Sequence, residues 1–359
     1  MKIISIVGAR PQFIKAAPVC RALRSQHEEL LVHSGQHYDY NMSDVFFEQL
    51  GIPRPDFNLG VGSGTHGQQT AEMLVLLEEL FIEQAPDVVL VYGDTNTTLA
   101  GGLAAAKLDI PVAHVEAGLR SFNRAMPEEI NRVVVDHLSD LLLCPTGAAV
   151  ENLTTEGISD GVALVGDVML DTARCFADAD ETRVALERFE VEPGGYYLAT
   201  VHRASNSDNE QHLKSIIDAF AAADKPVLWA VHPRTAKNIE AFGLQARLDS
   251  AENIRTIPPV SYVETVGLLK GSVALLTDSG GMQKEAYFFG VPCVTLREET
   301  EWVETVELGW NRLVGADTAR IMAAMASIEH PSTRPDVYGD GHAAEAILAA
   351  LEARYSCHS

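Results

Sequence analysis

Short apolar runs rich in β-branched residues recur along this chain, with longer stretches of helical period between them. In the first half they fall at Lys2–Val7, Leu30–His33, Val88–Val91, Val112–Val115, Leu141–Cys144 and Val162–Val165. In the second half they fall at Tyr196–Thr200, Val227–Val231, Ile254–Ile257, Val273–Leu276 and Pro292–Leu296. Apolar runs without polar alternation suit strands covered on both faces, so this alternation predicts doubly wound α/β sheets. Length favours two domains, with the junction expected after Gly166-Asp167. The expected division is 1–168 and 169–340. No low-complexity tract and no short repeat is visible.

Charge narrows the class of partner. The 359 residues carry a formal net charge of -23, with 8 Lys against 19 Arg. Such an excess of carboxylates repels nucleic acid and anionic membrane surfaces, so neither is expected as a partner. Five scattered cysteines without CxxC spacing (Cys20, Cys144, Cys175, Cys293, Cys357) read as reduced thiols of a cytoplasmic protein. Met1-Lys-Ile-Ile-Ser-Ile-Val-Gly8 reads as a first strand rather than a signal segment, and no apolar run reaches spanning length.

Candidate chemistry concentrates between Val88 and Arg132. Two apolar runs end in carboxylates beside glycines, at Gly93-Asp94 and at Glu116-Ala-Gly118. Parallel strands end on the face where open α/β sheets bind ligands, which brings Asp94 and Glu116 to one rim. Pro127 suits the first position of a helix, placing Glu128 in its first turn and Arg132 one turn later. Three carboxylates on one rim form a candidate acid/base set; each alone could equally cap a helix or answer its dipole.

Other stretches suit anion binding. In Gly8-Ala-Arg10-Pro-Gln-Phe-Ile-Lys15, a glycine turn, Arg10 and Lys15 cluster at a helix start, offering free N–H groups and cations. His202-Arg203 and His232-Pro-Arg234 each follow a strand and together suggest a polyanion site. Thr277-Asp-Ser279-Gly280-Gly281-Met-Gln-Lys-Glu285 runs from a buried strand into a helix, a pattern that cradles phosphate, with Glu285 placed to accept from ribose hydroxyls. The alternative is an ordinary helix cap. Gly60-Val-Gly62-Ser-Gly64-Thr-His-Gly67 mimics a dinucleotide fingerprint, but no apolar run precedes it, so a flexible loop over a site is expected. The polar and aromatic stretch Ser34–Met42 suits a ligand-facing loop, and His114 reads as a packing residue. No metal-ligand cluster is visible, and no cofactor is expected.

In Gly8–Lys15, Gly93-Asp94-Thr95, His114-Val-Glu116-Ala-Gly-Leu-Arg120, Pro127–Arg132, Gly166-Asp167, His202-Arg203, Thr277–Glu285 and Tyr338-Gly-Asp-Gly341, the chain resembles the UDP-N-acetylglucosamine 2-epimerase family over nearly its whole length. The resemblance implies a GT-B-like pair of Rossmann-like domains with a UDP-sugar in the cleft, and a C-terminal helix, about 341–359, crossing back to the first domain. It implies acid/base roles for Asp94, Glu116 and Glu128, and assistance to the leaving diphosphate by His202. It further implies that Arg10, Lys15, His232, Ser279, Gly280, Gly281 and Glu285 hold the nucleotide while Arg132 orders the site. A homodimer is common among relatives, and many bacterial members bind a regulatory UDP-N-acetylglucosamine near the Gln36-His37 loop.

The C2 hydrogen of an aldose nucleotide has no adjacent carbonyl, so simple abstraction is too hard. Elimination of UDP to a 2-acetamidoglucal, then re-addition with protonation from the other face, needs two acid/base groups and a grip on diphosphate. Three departures from the usual pattern bear on the substrate. Trp302-Val303 replace the usual Arg-Pro, Gln12 stands where Glu is frequent, and Tyr38-Asp-Tyr-Asn41 is extra. They resemble the branch acting on UDP-2,3-diacetamido-2,3-dideoxyglucuronic acid. A hydrolysing epimerase, a GT-B glycosyltransferase and a non-catalytic nucleotide-sugar sensor are the other readings.

Overall fold

The computed structural model describes residues 1–35, 54–176 and 180–355, apart from the side chains of Arg10, Pro11, Asp180, Glu181 and Thr182. The chain forms two units: Met1–Thr172 with Asp336–Ser359, and Ala173–Pro335. Each is a parallel, doubly wound α/β body.

The first unit carries seven strands: β1 (Lys2–Val7), β2 (Glu28–His33), β3 (Phe57–Asn58), β4 (Val88–Tyr92), β5 (Val112–Val115), β6 (Leu141–Cys144) and β7 (Val162–Leu164). Their order is β3-β2-β1-β4-β5-β6-β7, every pairing parallel. β4, β5 and β6 are buried along their whole length, as unbroken apolar runs require. Ile4, Ile6, Val89 and Val91 pack beneath helices His66–Gln84 and Asn96–Lys107. Helix Ala343–Tyr355 belongs to this unit, and Asp171 accepts from the Ala343 and Ala344 amides at its start (3.1 and 2.8 Å).

The second unit carries β8 (Tyr197–Thr200), β9 (Val227–Ala230), β10 (Ile254–Ile257), β11 (Leu275–Thr277), β12 (Cys293–Thr295) and β13 (Asn311–Leu313), in the order β10-β9-β8-β11-β12-β13. Its core gathers Leu213, Phe220, Trp229 and Leu276 on one side of the sheet, and Leu198, Leu268 and Leu275 on the other. Strand order reverses between β1 and β4 in the first unit and between β8 and β11 in the second. Doubly wound sheets bind ligands outside the carboxyl ends of strands at such a reversal.

Two expectations change. Edge strands β3 and β13 arise where no apolar run predicted them. The glycine-rich stretch therefore does follow a strand, and it is not loose: Val61 is fully buried and donates to the Ser34 carbonyl at 3.0 Å. The string is also divided, because Gly67 lies inside helix His66–Gln84, whose start Thr65 caps. Among the described residues no helix is long and apolar enough to cross a membrane.

Candidate active site

The reversal point of the first unit joins the turns after β1 and β4 through one side chain. Gln12 Oε1 accepts from the Gly8 and Ala9 amides (2.9 and 3.0 Å), and its Nε2 donates to the Tyr92 carbonyl (2.8 Å) and Thr98 Oγ1 (3.1 Å). The Gly8 and Ala9 N–H groups are thus used internally, which corrects the expectation that they stand free for an anion. Gly8 itself is obligatory, since a Cβ there would lie 2.0 Å from Ser34 Oγ. Helix Arg10–Arg24 begins here, with Pro in its first turn as expected. The Arg10 side chain and the Gln36–Met42 stretch lie outside the described residues.

Gly93 forms the floor between two predicted carboxylates. It has φ +65°, and a Cβ on it would lie 3.0 Å from Lys15 Nζ and 3.3 Å from Glu116 Oε2. Lys15, expected to hold nucleotide, donates a very short hydrogen bond to the Glu116 carboxylate, and both side chains are buried. Glu116 adopts φ +71°, a left-handed conformation that strains any residue with a Cβ. Such outliers persist where surrounding structure over-determines them, as at sites of function.

Asp94, one residue on, meets Arg132. Arg132 Nη2 donates to Asp94 Oδ2 at 2.5 Å, and Nη1 donates to Glu129 Oε2 at 2.5 Å. Asn131 Nδ2 donates to the Asp94 carbonyl at 2.9 Å. Glu129 accepts in addition from the Ser121 amide and hydroxyl (both 2.9 Å) and the Phe122 amide (3.0 Å). Burial pushes its carboxyl up, but the Ser121 donors and the Arg132 charge prevail and hold it below the ordinary range. Glu128 occupies the first turn of helix Pro127–Leu138, half-buried and four residues before Arg132. Thus Asp94 and Glu116 flank one glycine, each against a cation, while Glu128 lies in the first turn of the helix that supplies Arg132.

Glu129 escaped the sequence reading, although its i,i+3 spacing to Arg132 was visible. So did the polar role of His114. The imidazole is fully buried, with Nδ1 2.7 Å from Asp136 Oδ1 and Nε2 2.7 Å from the Gly93 carbonyl. It is a hydrogen-bonded link rather than an apolar filler.

In the second unit the reversal point is tied by Asp278, another residue without a predicted role. Its fully buried carboxylate accepts from the His202 amide (3.0 and 3.2 Å), the Arg203 amide (3.0 Å) and Asn206 Nδ2 (3.1 Å). The His202 and His232 rings meet edge to face, with centroids 5.9 Å apart. The two strand ends are therefore neighbours, as a shared polyanion site needs. Arg234, in contrast, forks onto Asp208 and is occupied there.

Ser279 caps helix Gly280–Phe289 through the Met282 amide, with Gly280 and Gly281 in the first turn. A Cβ at Gly280 would lie 2.4 Å from Glu301 Oε1. Glu285 is buried at 3% exposure. Buried Lys284 places Nζ 4.0 Å from the Trp302 ring centroid, which accounts for one departure: Arg at 302 would set a guanidinium against this ammonium. Among the described residues no group of three or more His, Cys, Asp or Glu side chains is arranged to hold a metal ion.

Chemically, the first unit offers carboxylates fixed at a strand-end rim and able to exchange protons with a carbon placed there. The second offers a helix N-terminus and two imidazoles, groups that suit a diphosphate.

Comparison with known proteins adds an independent line. A family model described as UDP-N-acetylglucosamine 2-epimerase matches residues 21–352. A UDP-N-acetylglucosamine 2-epimerase homolog of Methanococcus maripaludis is 49% identical over 98% of this chain and 99% of its own. The UDP-2,3-diacetamido-2,3-dideoxy-D-glucuronate 2-epimerase of Pseudomonas aeruginosa is 48% identical over 98% of this chain and 99% of its own. The crystal structure of Methanocaldococcus jannaschii UDP-GlcNAc 2-epimerase in complex with UDP-GlcNAc and UDP superposes with a TM-score of 0.92. It has 42% identity and covers 98% of this chain and 100% of that one.

Proposed function

The chain belongs to the UDP-N-acetylglucosamine 2-epimerase family, and we propose that it interconverts UDP-N-acetylglucosamine and UDP-N-acetylmannosamine. The observation that carries the reading is the pair of carboxylates, Asp94 and Glu116, set on either side of Gly93 and each against a cation.

In the proposed reaction a carboxylate takes the C2 hydrogen as a proton. The C1–O bond breaks, C1=C2 forms, and UDP departs with the electron pair. UDP then re-adds at C1 of the 2-acetamidoglucal while a second carboxylic acid delivers a proton to the opposite face of C2. No net oxidation occurs. Asp94, Glu116 and Glu128 act as the acid/base groups, with Arg132 ordering Asp94. His202 stabilises the leaving diphosphate, and Arg10, Lys15, His232, Ser279, Gly280, Gly281 and Glu285 hold the nucleotide. Enclosing dipoles and cations count most where charge develops on the departing oxygen.

A second reading has a specific motive. The Pseudomonas aeruginosa relative is named for the diacetamido-glucuronate substrate, and Trp302-Val303, with Lys284 against the Trp302 ring, stand where the family commonly has Arg-Pro. Incubation of the protein with each UDP-sugar in heavy water, read by NMR, separates these. Deuterium at C2 together with epimer identifies the substrate; loss of UDP without epimer would favour hydrolysis, and sugar transfer to an added acceptor would overturn epimerisation. Asp94→Asn is expected to bind UDP and turn nothing over.

The same reading includes a cytoplasmic homodimer activated by UDP-N-acetylglucosamine. Exposed Val75 and Ile82, seven residues apart on helix His66–Gln84, support a self-association face. Light scattering and the dependence of the reverse rate on added UDP-N-acetylglucosamine test the two parts.

A further inference from the structure

His114 lies between two groups that offer oxygen as acceptor. Nε2 faces the Gly93 carbonyl, which cannot donate, and Nδ1 faces Asp136 Oδ1, each at 2.7 Å. The other Asp136 oxygen is occupied by the Arg120 guanidinium (2.6 Å) and the Gly118 amide (3.1 Å). Arg120 forks in turn onto Glu156 with two contacts of 2.7 Å. Burial pushes the Asp136 carboxyl up, yet its hydrogen bond with His114 and the Arg120 cation prevail, and it lies below its ordinary range. With Asp136 a carboxylate, only a ring bearing hydrogen on both nitrogens satisfies both oxygens; a neutral ring would bury one acceptor unpaired.

What this ring grips is the turn that carries the proposed chemistry. The Gly93 amide donates to the Val115 carbonyl at 3.0 Å, so His114 holds the other end of the same residue. Gly93 is the floor against which Glu116 and Lys15 rest, and Asp94 follows it directly. We propose that His114 is a positioning residue, an imidazolium clamped by Asp136 that fixes the Gly93 carbonyl and thereby the spacing of Asp94 and Glu116. This rests on the reading of those two carboxylates as the acid/base groups. The ring touches neither substrate nor reacting atoms; it acts through the turn.

Two readouts test it. In protein labelled with 15N-histidine, long-range proton–nitrogen correlation spectra are expected to show hydrogen on both His114 ring nitrogens. A neutral-tautomer pattern would overturn the proposal, and this readout needs no substrate. In kinetics, His114→Asn keeps a donor toward Asp136 but does not reach Gly93, and is expected to lower kcat about 100-fold with KM changed less than about threefold. His114→Gln, whose amide reaches as far as Nε2, is expected to recover at least about tenfold of that loss. Unchanged kcat in His114→Asn, or a rise in KM alone, would exclude the role. Turnover retained in Asp94→Asn would remove the functional reading on which it stands, whatever the ring spectra show.

Discussion

Asp94 and Arg132 meet at 2.5 Å across 38 residues of sequence, and the same guanidinium spans to Glu129 at an equal distance. A planar fork holds two carboxylates in fixed directions, which an ammonium on a flexible stem does not. Arg132→Lys is therefore expected to keep the charge and lose the geometry. A charge-assisted hydrogen bond of this kind contributes about 1.5–3 kcal/mol, so kcat should fall about 10- to 150-fold. UDP affinity by calorimetry should stay within about threefold of the parent, because the helix proposed to hold the nucleotide, Gly280–Phe289, belongs to the other unit. A parent-like kcat would show that Asp94 does not depend on this fork.

Gln12 is a matched fit rather than a tolerated substitution. Its oxygen takes two amide hydrogens and its nitrogen gives two, to the Tyr92 carbonyl and Thr98 Oγ1. In Gln12→Glu a carboxylate oxygen would face the Tyr92 carbonyl with no hydrogen between them. The variant is expected to be destabilised at neutral pH by about 1–3 kcal/mol. Protonation restores a donor, so part of that loss should return as pH falls toward the carboxylate range. Urea midpoints at two pH values check both statements.

The interior of both sheets was legible because burial on two faces leaves an unbroken apolar mark, as in Val88–Tyr92 and Val112–Val115. Phe57–Asn58 and Asn311–Leu313 left no such mark; they are short edge strands, and Arg312 points to solvent. Asp94 and Glu116 could be picked out because each follows a strand beside a glycine. Asp136 and Asp278 could not. Their partners lie at His114 and His202, 22 and 76 residues away; packing of helix Pro127–Leu138 on β5 brings the first pair together, and adjacency of β8 and β11 the second. The same holds for Gln12, whose donors were mistaken for open anion ligands because the acceptor belongs to a side chain and not to the backbone.

His33 makes the fold sensitive to mild acid. It is buried against Phe13, with ring centroids 5.1 Å apart, and Nδ1 accepts from the Gly35 amide at 2.7 Å. Burial lowers its pKa from 6.5 to about 4. A depressed folded pKa means the unfolded chain takes the proton first, so its stability is fully present above about pH 6.5 and is lost as pH falls to about 4. The loss is on the order of 3 kcal/mol. Asp171, whose carboxyl burial raises, works in the opposite sense as its own protonation sets in. His33→Asn keeps an acceptor for Gly35, and is expected to be less stable at pH 8 but flatter across this window. Parallel slopes in chemical denaturation would assign the acid sensitivity elsewhere.

Asp278 gives the sharpest separation between grip and chemistry. Its carboxylate collects the amides of His202 and Arg203 and the Asn206 side chain, all donors, at 3.0 to 3.2 Å. Asn206 also donates to the Leu296 carbonyl at 2.8 Å, so the turn after β8 is tied to β11 and to the end of β12 through one acid. Asp278→Asn changes few atoms but replaces one acceptor oxygen with an NH2 that must face a buried N–H. That leaves donors opposed and unpaired, at a cost of about 1–3 kcal/mol, and the turn should relax by releasing His202. Because His202 and His232 are proposed to hold the diphosphate together, UDP affinity should fall about 5- to 150-fold. The first-unit carboxylates are untouched, so deuterium exchange at C2 should still be detected at saturating UDP-sugar, slowed by the loss of His202 from the leaving diphosphate. A variant that binds UDP normally yet exchanges no C2 hydrogen would reverse this assignment, placing Asp278 with the chemistry and not with the grip.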